Sequence, residues 1–273
     1  LAILLIGNNL IHLLAIFAVA VIYFIRNKDW KVIAFILSCV FLMSASKSVI
    51  TNYYEVKSQK EIAEGVPKIT WIAMGMQEGE REAGWWNRFN YDIMPEEEYD
   101  TKRIIEISKT SMKQRLNVFR DNPKYALDFY QRKYENQFIE PTFQSLLVTA
   151  PQRNFSNETT LEKIRDFFVK QIYFNHTHTV LEFIMKVFQV FVYLFTFVFT
   201  VVMYKRKNEF FAIIPIAFIG GTLFNMIWEA KSRYIFPYFV FLIPLAAYGL
   251  VIVRNKIKEY KKLKEEKDEK STI

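Results

Sequence analysis

Residues 210–253 read FFAIIPIAFIGGTLFNMIWEAKSRYIFPYFVFLIPLAAYGLVIV, two apolar runs on either side of a short charged segment. Each run is long enough to cross the hydrocarbon of a bilayer, which is roughly 30 Å thick and takes about 20 helical residues. Comparable runs lie near 3–25, 32–50 and 181–204, whereas residues 51–180 contain none. The pattern predicts a polytopic α-helical membrane protein with about five transmembrane helices. Buried helices of a large soluble protein are the alternative, but the polar residues here form one block and one tail, not a shell.

The apolar runs divide the chain into four parts. We expect two transmembrane helices in 1–50, an extracytoplasmic soluble segment in 51–180, three transmembrane helices in 181–254 and a charged cytoplasmic tail in 255–273. Lys and Arg near the ends of spans are retained in the cytoplasm. Such residues follow the first, third and fifth runs: Arg26, Lys28, Lys31, Lys205, Arg206, Lys207, Arg254, Lys256, Lys258, Lys261 and Lys262. The N-terminus of this chain is therefore predicted outside the cell membrane and its C-terminus in the cytoplasm.

The net charge of +8 comes largely from these basic clusters. It is a signal of topology, so we expect no nucleic-acid partner. The single cysteine, Cys39, lies inside the second run and excludes a disulfide framework. His176 and His178 have the spacing of a metal pair on a strand, but they sit at the border of a span without an acidic partner, so no metal site is predicted.

The segment 51–180 carries mixed signals of secondary structure. Lys68 to Met74, KITWIAM, is rich in β-branched and aromatic residues and predicts a strand. Apolar residues at helical spacing predict a helix over 100–120, and Asn122-Pro123 then stops that helix and starts another. A third helix is predicted over 160–173, with an inward face of Leu161, Ile164, Phe167, Phe168 and Ile172. Loops are predicted over 76–99 and 139–159, so the expected fold is a helical membrane protein with a small mixed α/β extracytoplasmic domain.

The charged segment between the last two runs, Trp228 to Tyr234, is the strongest candidate site. Its cations, Lys231 and Arg233, run against the charge bias of the other connections, so they indicate a specific anionic partner. A lipid phosphate fits, because Arg engages two phosphate oxygens and Lys adds a mobile charge. Glu229 could hold either cation in position. An ordinary intramolecular ion pair with snorkelling side chains is the alternative.

Other polar and aromatic residues border the same outer surface. Ionisable groups at such depths usually face a bundle interior or a wet cavity. Those concerned are Asn8, Asn9, His12, Lys47, Lys186 and Gln189. The stretch Trp71 to Phe89 contains the adjacent Trp85 and Trp86, whose rings suit either stacking on sugars or anchoring at the membrane interface.

The chain opens at Leu1 inside an apolar run, without a Met, a basic leader region or a signal cleavage site. We therefore expect the natural protein to begin upstream of Leu1.

Three blocks of sequence carry a family resemblance: WIAMGMQEG followed by GWWNRFNYD, then NPKYALDFYQRKYENQFIEPTF, and IGGTLFNMIWEAKSRYIFPYFVFLIPLAAYGL. Together they resemble the C-terminal half of polytopic GT-C glycosyltransferases, in particular bacterial proteins similar to protein O-mannosyltransferases. The resemblance covers most of the chain. It implies transfer of a sugar from a polyprenyl-phosphate donor to an extracytoplasmic glycan or protein acceptor, with no covalently bound cofactor. Whether a divalent metal assists stays open.

The resemblance also assigns roles to residues of this chain. The donor phosphate would meet Lys231, Arg233, Tyr234 and Lys47, and the sugar and acceptor would lie near Trp71, Trp85, Trp86 and Asn87. Such enzymes carry an essential acid in the first outer loop, which would precede Leu1. Asp92 and Glu229 are the acidic residues of this chain to test as substitutes. A non-catalytic accessory or scaffold subunit of envelope polysaccharide assembly is the alternative, favoured by the missing acid.

Overall fold

The computed structural model of the chain describes residues 9–62, 65–146, 159–173, 176–206 and 209–271, with side chains described up to Lys267. Asn8 and the apolar residues before it lie outside this description. We number the helices in chain order: α1 Leu10–Asn27, α2 Lys31–Ser58, α3 Lys68–Gly75, α4 Phe89–Glu96, α5 Thr101–Asp121, α6 Pro123–Glu135, α7 Thr160–Tyr173, α8 His176–Lys205, α9 Ile213–Ile227 and α10 Ser232–Ser271. A short 3₁₀ helix, Glu209–Ala212, leads into α9.

Five helical segments among the described residues are long and apolar enough to cross a bilayer, which confirms the predicted number of spans. They are α1, α2, α8, the stretch Glu209–Ile227 and α10 as far as Lys267. In α2 no side chain is buried by the rest of the chain, as expected of a helix that faces lipid. An odd number of spans places the two ends of this set on opposite sides of the membrane.

Five crossings would place the connection between α9 and α10 on the same side of the membrane as the long segment between α2 and α8. With five spans, these two pieces are separated by two crossings. Direct contacts agree with that count: the Trp86 amide donates to Glu229 Oε1 over 3.1 Å, and the Ala230 amide donates to the Gly84 carbonyl over 3.1 Å. Residues of the segment can therefore share a site with the connection.

The prediction of a strand over Lys68 to Met74 is wrong, because these residues form helix α3. A short apolar run fits either period, and here the buried Thr70, Ala73 and Met74 follow the helical spacing of three and four. Packing of this face against α5 overrides the β preference of Ile and Trp. No strand occurs among the described residues, so the soluble segment is helical and the predicted α/β mixture is also wrong.

The helices over 100–120 and beyond Asn122-Pro123 are confirmed as α5 and α6. Asn122 ends the first, and its Oδ1 then accepts from the Tyr125 amide over 3.1 Å, which caps the second. Pro123 fits the first turn because that position has no intrahelical partner for an N–H. The predicted loop over 76–99 contains α4, whereas the loop over 139–159 is described only as far as residue 146, where it consists mainly of turns.

A small aromatic core joins α5, α6 and the residues after α3. It is built on Phe119 and Phe129, whose ring centroids lie 5.3 Å apart, with Met76 and Ala83 beside them. The Arg115 guanidinium lies 4.7 Å from the Phe119 centroid, and its Nε donates to the Met76 carbonyl over 2.8 Å. This core holds the loop after α3 in place.

The helix predicted over 160–173 is confirmed as α7, but its predicted inward face is wrong. Leu161, Ile164, Phe167, Phe168 and Ile172 are all exposed. The helix begins with a capping box, in which Thr159 and Glu162 exchange hydrogen bonds of 3.0 and 3.2 Å between side chain and backbone amide.

The chain forms two compact units, Leu1–Ile139 with Ile216–Ile235, and Glu140–Pro215 with Phe236–Ile273. Within the second unit, α8 and α10 pack closely: Thr196 Oγ1 donates to the Leu242 carbonyl over 3.2 Å, and a Cβ on Gly249 would lie 2.8 Å from the Phe195 carbonyl carbon. The candidate site described next lies wholly within the first unit.

Candidate functional site

The Trp228-Glu229-Ala230-Lys231-Ser232 segment connects α9 to α10 and is buried against the loop after α3. Ala230 and Ser232 are completely buried, and Glu229 and Lys231 are 4% and 7% exposed. The close fit depends on Gly75, where a Cβ would lie 2.7 Å from the Trp228 carbonyl carbon. The end of α3 therefore touches the backbone of this connection directly, so a charged connection is held deep in the soluble segment.

The Glu229 carboxylate is the centre of the site. Its Oε1 accepts from the Trp86 amide and forms an ion pair with Lys231, and its Oε2 accepts from the Tyr234 hydroxyl over 2.7 Å. Both carboxylate oxygens are thus occupied, which satisfies a buried charge as its burial requires. Glu229 fixes the positions of Lys231 and Tyr234.

A second lysine, Lys133 of α6, enters the same region and is 0% exposed. Its Nζ donates to the Gly75 carbonyl, and its aliphatic chain lies over Gly84, where a Cβ would be 2.6 Å from Lys133 Cε. The close approach of Lys133 favours glycine at position 84, and so does the backbone, which has a φ of +71° there. Burial lowers the pKa of the Lys133 ammonium from 10.5 to about 7, and the Glu229 charge opposes part of this shift.

Two buried polar atoms beside Lys231 have no hydrogen-bond partner within the described part of the chain. These are Trp85 Nε1 and Ser232 Oγ. The Lys231 ammonium lies 5.4 Å from a Trp85 ring centroid, and Ser232 follows Lys231 directly. Most buried polar atoms in proteins find a partner, so these two donors are open to an acceptor that the described residues do not supply.

Arg233 is the exposed cation of the segment. Its guanidinium lies 5.1 Å from the Tyr234 ring centroid, and Nη2 donates to the Tyr234 hydroxyl over 3.2 Å. Arg233 is therefore linked to Glu229 through Tyr234, while the rest of its guanidinium is open to solvent. Lys231 and Arg233 outnumber the one carboxylate, and Lys133 adds a further positive charge when it is protonated, so the site favours an anion.

The residues predicted on the sugar and acceptor side have different surroundings in the structure. Trp71 stacks on Trp228 at 6.3 Å and an interplanar angle of 11°, so one of its faces is covered. Trp85 and Trp86 both touch the charged connection. Asn87 closes the loop, since its Nδ2 donates to the Met74 carbonyl over 3.2 Å.

The other predicted site residues have different neighbours or lie in the second unit. Asp92 is on α4, where its exposed carboxylate pairs with Arg88 at 3.5 Å. Lys47 is exposed on α2, and Lys186 is exposed on α8. Gln189 is buried in the second unit and donates to the Tyr193 hydroxyl over 3.3 Å. Asn9, the residue before α1, and His12 within α1 are partly buried.

Sequence reasoning missed Lys133, Ser232, Gly75 and Gly84 as members of the site. Lys133 carried a usable signal, because it shares a helical face with the aromatic Phe129 and is thus a charge on a buried face. The two glycines carried none, since the Trp228 backbone that Gly75 approaches and the Lys133 side chain that Gly84 approaches lie far away along the chain.

An open cleft of about 950 Å³ lies on the soluble segment within the first unit. Its lining mixes carboxylates, amides, hydroxyls and one aromatic ring, and it includes Glu78, Glu97, Glu106, Arg103, Gln77, Ser111 and Phe89. Glu78 accepts from Tyr125 and Arg132 over 2.8 Å each, and the Arg132 hydrogen bond lowers the pKa of its carboxyl. No group of three or more His, Cys, Asp or Glu side chains among the described residues could hold a metal ion.

Comparison with known proteins places the chain in a family without assigning an activity. A family model described as "Conserved hypothetical integral membrane protein" matches residues 2–251. No curated protein matches the chain, and no solved structure matches it. Because the family match extends over most of the sequence, the chain belongs to this family of conserved hypothetical integral membrane proteins.

Proposed function

We propose that the chain is part of a membrane glycosyltransferase that uses a polyprenyl-phosphate-linked sugar, and that the Glu229–Lys231 cluster binds the lipid phosphate. The proposal rests on two buried donors without a partner among the described residues: Trp85 Nε1, whose ring lies near the Lys231 ammonium, and Ser232 Oγ on the residue after Lys231. A phosphate offers several acceptor oxygens and a charge opposite to the excess of cations. The resemblance of the EAKSRY segment to GT-C enzymes supports the same ligand.

The proposed chemistry follows from the charges. As the sugar leaves, negative charge develops on the lipid phosphate, and preorganised cations and N–H donors lower the energy of that state. Lys231 is held in place by Glu229, so its ammonium does not have to reorganise. An anion would also restore the charged form of Lys133, whose pKa burial lowers to about 7.

The acceptor needs a carboxylate that takes a proton from its hydroxyl. Glu229 is poorly suited, because donors occupy both of its oxygens. Asp92 has an exposed carboxylate with one ion pair and is the better of the two candidates. The open cleft between Gln77 and Val118 has the amides, carboxylates and aromatic ring that bind hydroxyl-rich acceptors.

A non-catalytic accessory subunit is the second candidate. One observation favours it: Lys231 is neutralised by Glu229 and both are buried, as in an ion pair that only ties the span connection to the soluble segment. In that case neither Ser232 nor Trp85 would matter for lipid binding.

Two variants of the full-length protein in proteoliposomes, Ser232→Ala and Trp85→Phe, distinguish the glycosyltransferase from the accessory subunit. Each change removes an unpartnered buried donor, so thermal stability should stay the same or rise. Binding of polyprenyl phosphate should weaken by roughly one to two orders of magnitude, because a hydrogen bond to a charged group is worth about 1.5–3 kcal/mol. The matching polyprenol, which lacks the phosphate, should bind both variants and the unmodified protein equally weakly.

Arg233→Ala should weaken the same binding, whereas Arg120→Ala, which removes a similarly exposed arginine from α5, should not. Unchanged polyprenyl phosphate binding in Ser232→Ala, Trp85→Phe and Arg233→Ala would overturn the donor assignment. Sugar transfer by the purified protein alone would exclude the accessory role.

A further inference from the structure

Helix α7 has one apolar face and one charged face. Leu161, Ile164 and Phe168 follow the helical spacing of three and four, with Phe167 and Ile172 beside them. The opposite side carries Glu162, Lys163, Asp166 and Lys170. Such a helix needs an apolar surface for one face and water or headgroups for the other.

The apolar face of α7 is not covered by the described part of the chain. Leu161 is 80% exposed, and Phe167 and Phe168 are 57% and 58% exposed. The one buried residue of the helix is Asp166, which pairs with Arg165 at 2.8 Å. Five large apolar side chains on 14 residues form a patch that a soluble surface would not leave in water.

Helix α7 is not a straight extension of the span that follows it. Thr177 Oγ1 donates to Gln171 Oε1 over 3.0 Å, and His178 Nδ1 lies 2.9 Å from the Ile172 carbonyl oxygen. Both pairs are six residues apart, and a continuous α-helix would separate them by roughly 9 Å along its axis. The chain direction therefore changes between α7 and α8.

We infer that α7 lies in the plane of the membrane interface, with its apolar face among the acyl chains and the exposed Lys163 and Lys170 of its charged face among the headgroups. Continuity with the span identifies the occupant: α8 begins at His176, and its first turns expose Phe183 and Ile184 to the lipid. Only two residues separate the end of α7 from the start of this span, so that end of the helix is held close to the bilayer surface. Lys163 and Lys170 suit the phosphates of headgroups.

The interfacial position gives α7 a mechanical role. It anchors the junction between the soluble segment and α8 at a fixed depth. Lipid contact, not burial in the protein, then stabilises the apolar face, which explains why the helical periodicity does not coincide with a protein core.

Depth measurements on the whole chain in phosphatidylcholine vesicles test this position. In a Cys39→Ser background, an environment-sensitive dye is attached to Ile164→Cys, Phe168→Cys or Lys163→Cys, the last on the charged face of the same helix. Phe183→Cys, exposed on α8, serves as the lipid control, and Lys109→Cys, exposed on α5, serves as the water control. These positions are all exposed, so the substitutions should not disturb folding.

The dyes at 164 and 168 should be quenched by lipids brominated near the headgroup and protected from iodide, whereas the dye at 163 should be quenched by iodide. Equal iodide quenching at 163, 164 and 168 would place α7 in water and overturn the inference. Protection from both quenchers at 164 and 168 would show a protein partner over the apolar face and would overturn it as well.

Discussion

Gly75 touches the backbone of Trp228 so closely that a Cβ on Gly75 would lie 2.7 Å from the Trp228 carbonyl carbon. This contact joins the end of α3 to the span connection, although the two residues are far apart in sequence. It also leaves the Gly75 carbonyl oriented toward Lys133, which donates to it. The position of the candidate site therefore depends on a glycine.

Gly75→Ala should lower the stability of the protein by about 2 kcal/mol, because overpacking against a backbone atom forces the two segments apart. Thermal unfolding of the purified protein measures the effect. Gly65→Ala is the matched control: Gly65 has a φ of +74° but open space around it, so it should cost only the strain of about 1 kcal/mol. Equal losses in both variants would contradict a close contact at Gly75.

The stability of the protein should rise with pH above about 7 through Lys133. Burial lowers the pKa of this ammonium from 10.5 to about 7 in the folded protein. Between these values the unfolded chain binds more protons than the folded one, so the free energy of unfolding increases with pH. Thermal unfolding across this range should show a steeper rise in the unmodified protein than in Lys133→Met. Parallel curves would contradict the lowered pKa.

A double-mutant cycle should show strong coupling between Glu229 and Lys231. Glu229→Gln leaves the Lys231 ammonium buried without a counter-charge, a change that costs about 3–5 kcal/mol. Adding Lys231→Met should recover most of that loss, because the unpaired charge disappears. Asp121→Asn, which breaks the exposed pair with Arg120, should change stability by less than about 1 kcal/mol. Additive effects of the first two substitutions would contradict a buried ion pair.

The orientation inferred from the basic clusters has its own test. Single cysteines in a Cys39→Ser background at exposed Tyr99 and exposed Lys262 should react on opposite sides of the membrane. In intact cells, a membrane-impermeant maleimide should label position 99 and spare position 262 until the cells are opened. The reverse pattern would invert the topology, and labelling at both positions would contradict an odd number of spans.

The sequence was most informative where a pattern was long or had a clear boundary. The five apolar runs and the Asn122-Pro123 boundary predicted helices that the structure confirms. The prediction from KITWIAM was wrong because seven residues fit a strand or a helix equally well. Contact with α5 decides between the two. The period of α7 was also recognised, but periodicity identifies an apolar face without showing whether protein or lipid covers it.

In the candidate site, too, local sequence patterns were informative and contacts between distant segments were not predictable. Lys231 and Arg233 could be predicted because cations between two apolar runs are conspicuous in sequence. The contribution of Lys133 and the pairing of Glu229 with the Trp86 amide depend on contacts between distant segments. Glycines such as Gly84 matter through the atoms they approach, and no local pattern specifies those atoms.

Photo-cross-linking tests the central claim, that the connection between α9 and α10 binds a lipid phosphate, most directly. A polyprenyl phosphate with a diazirine next to the phosphate is added to the protein in vesicles, and the cross-linked peptides are identified by mass spectrometry. We expect adducts in residues 82–87 and 228–235, suppressed by excess polyprenyl phosphate but not by polyprenol. Adducts confined to other segments, or equal suppression by polyprenol, would contradict the phosphate site.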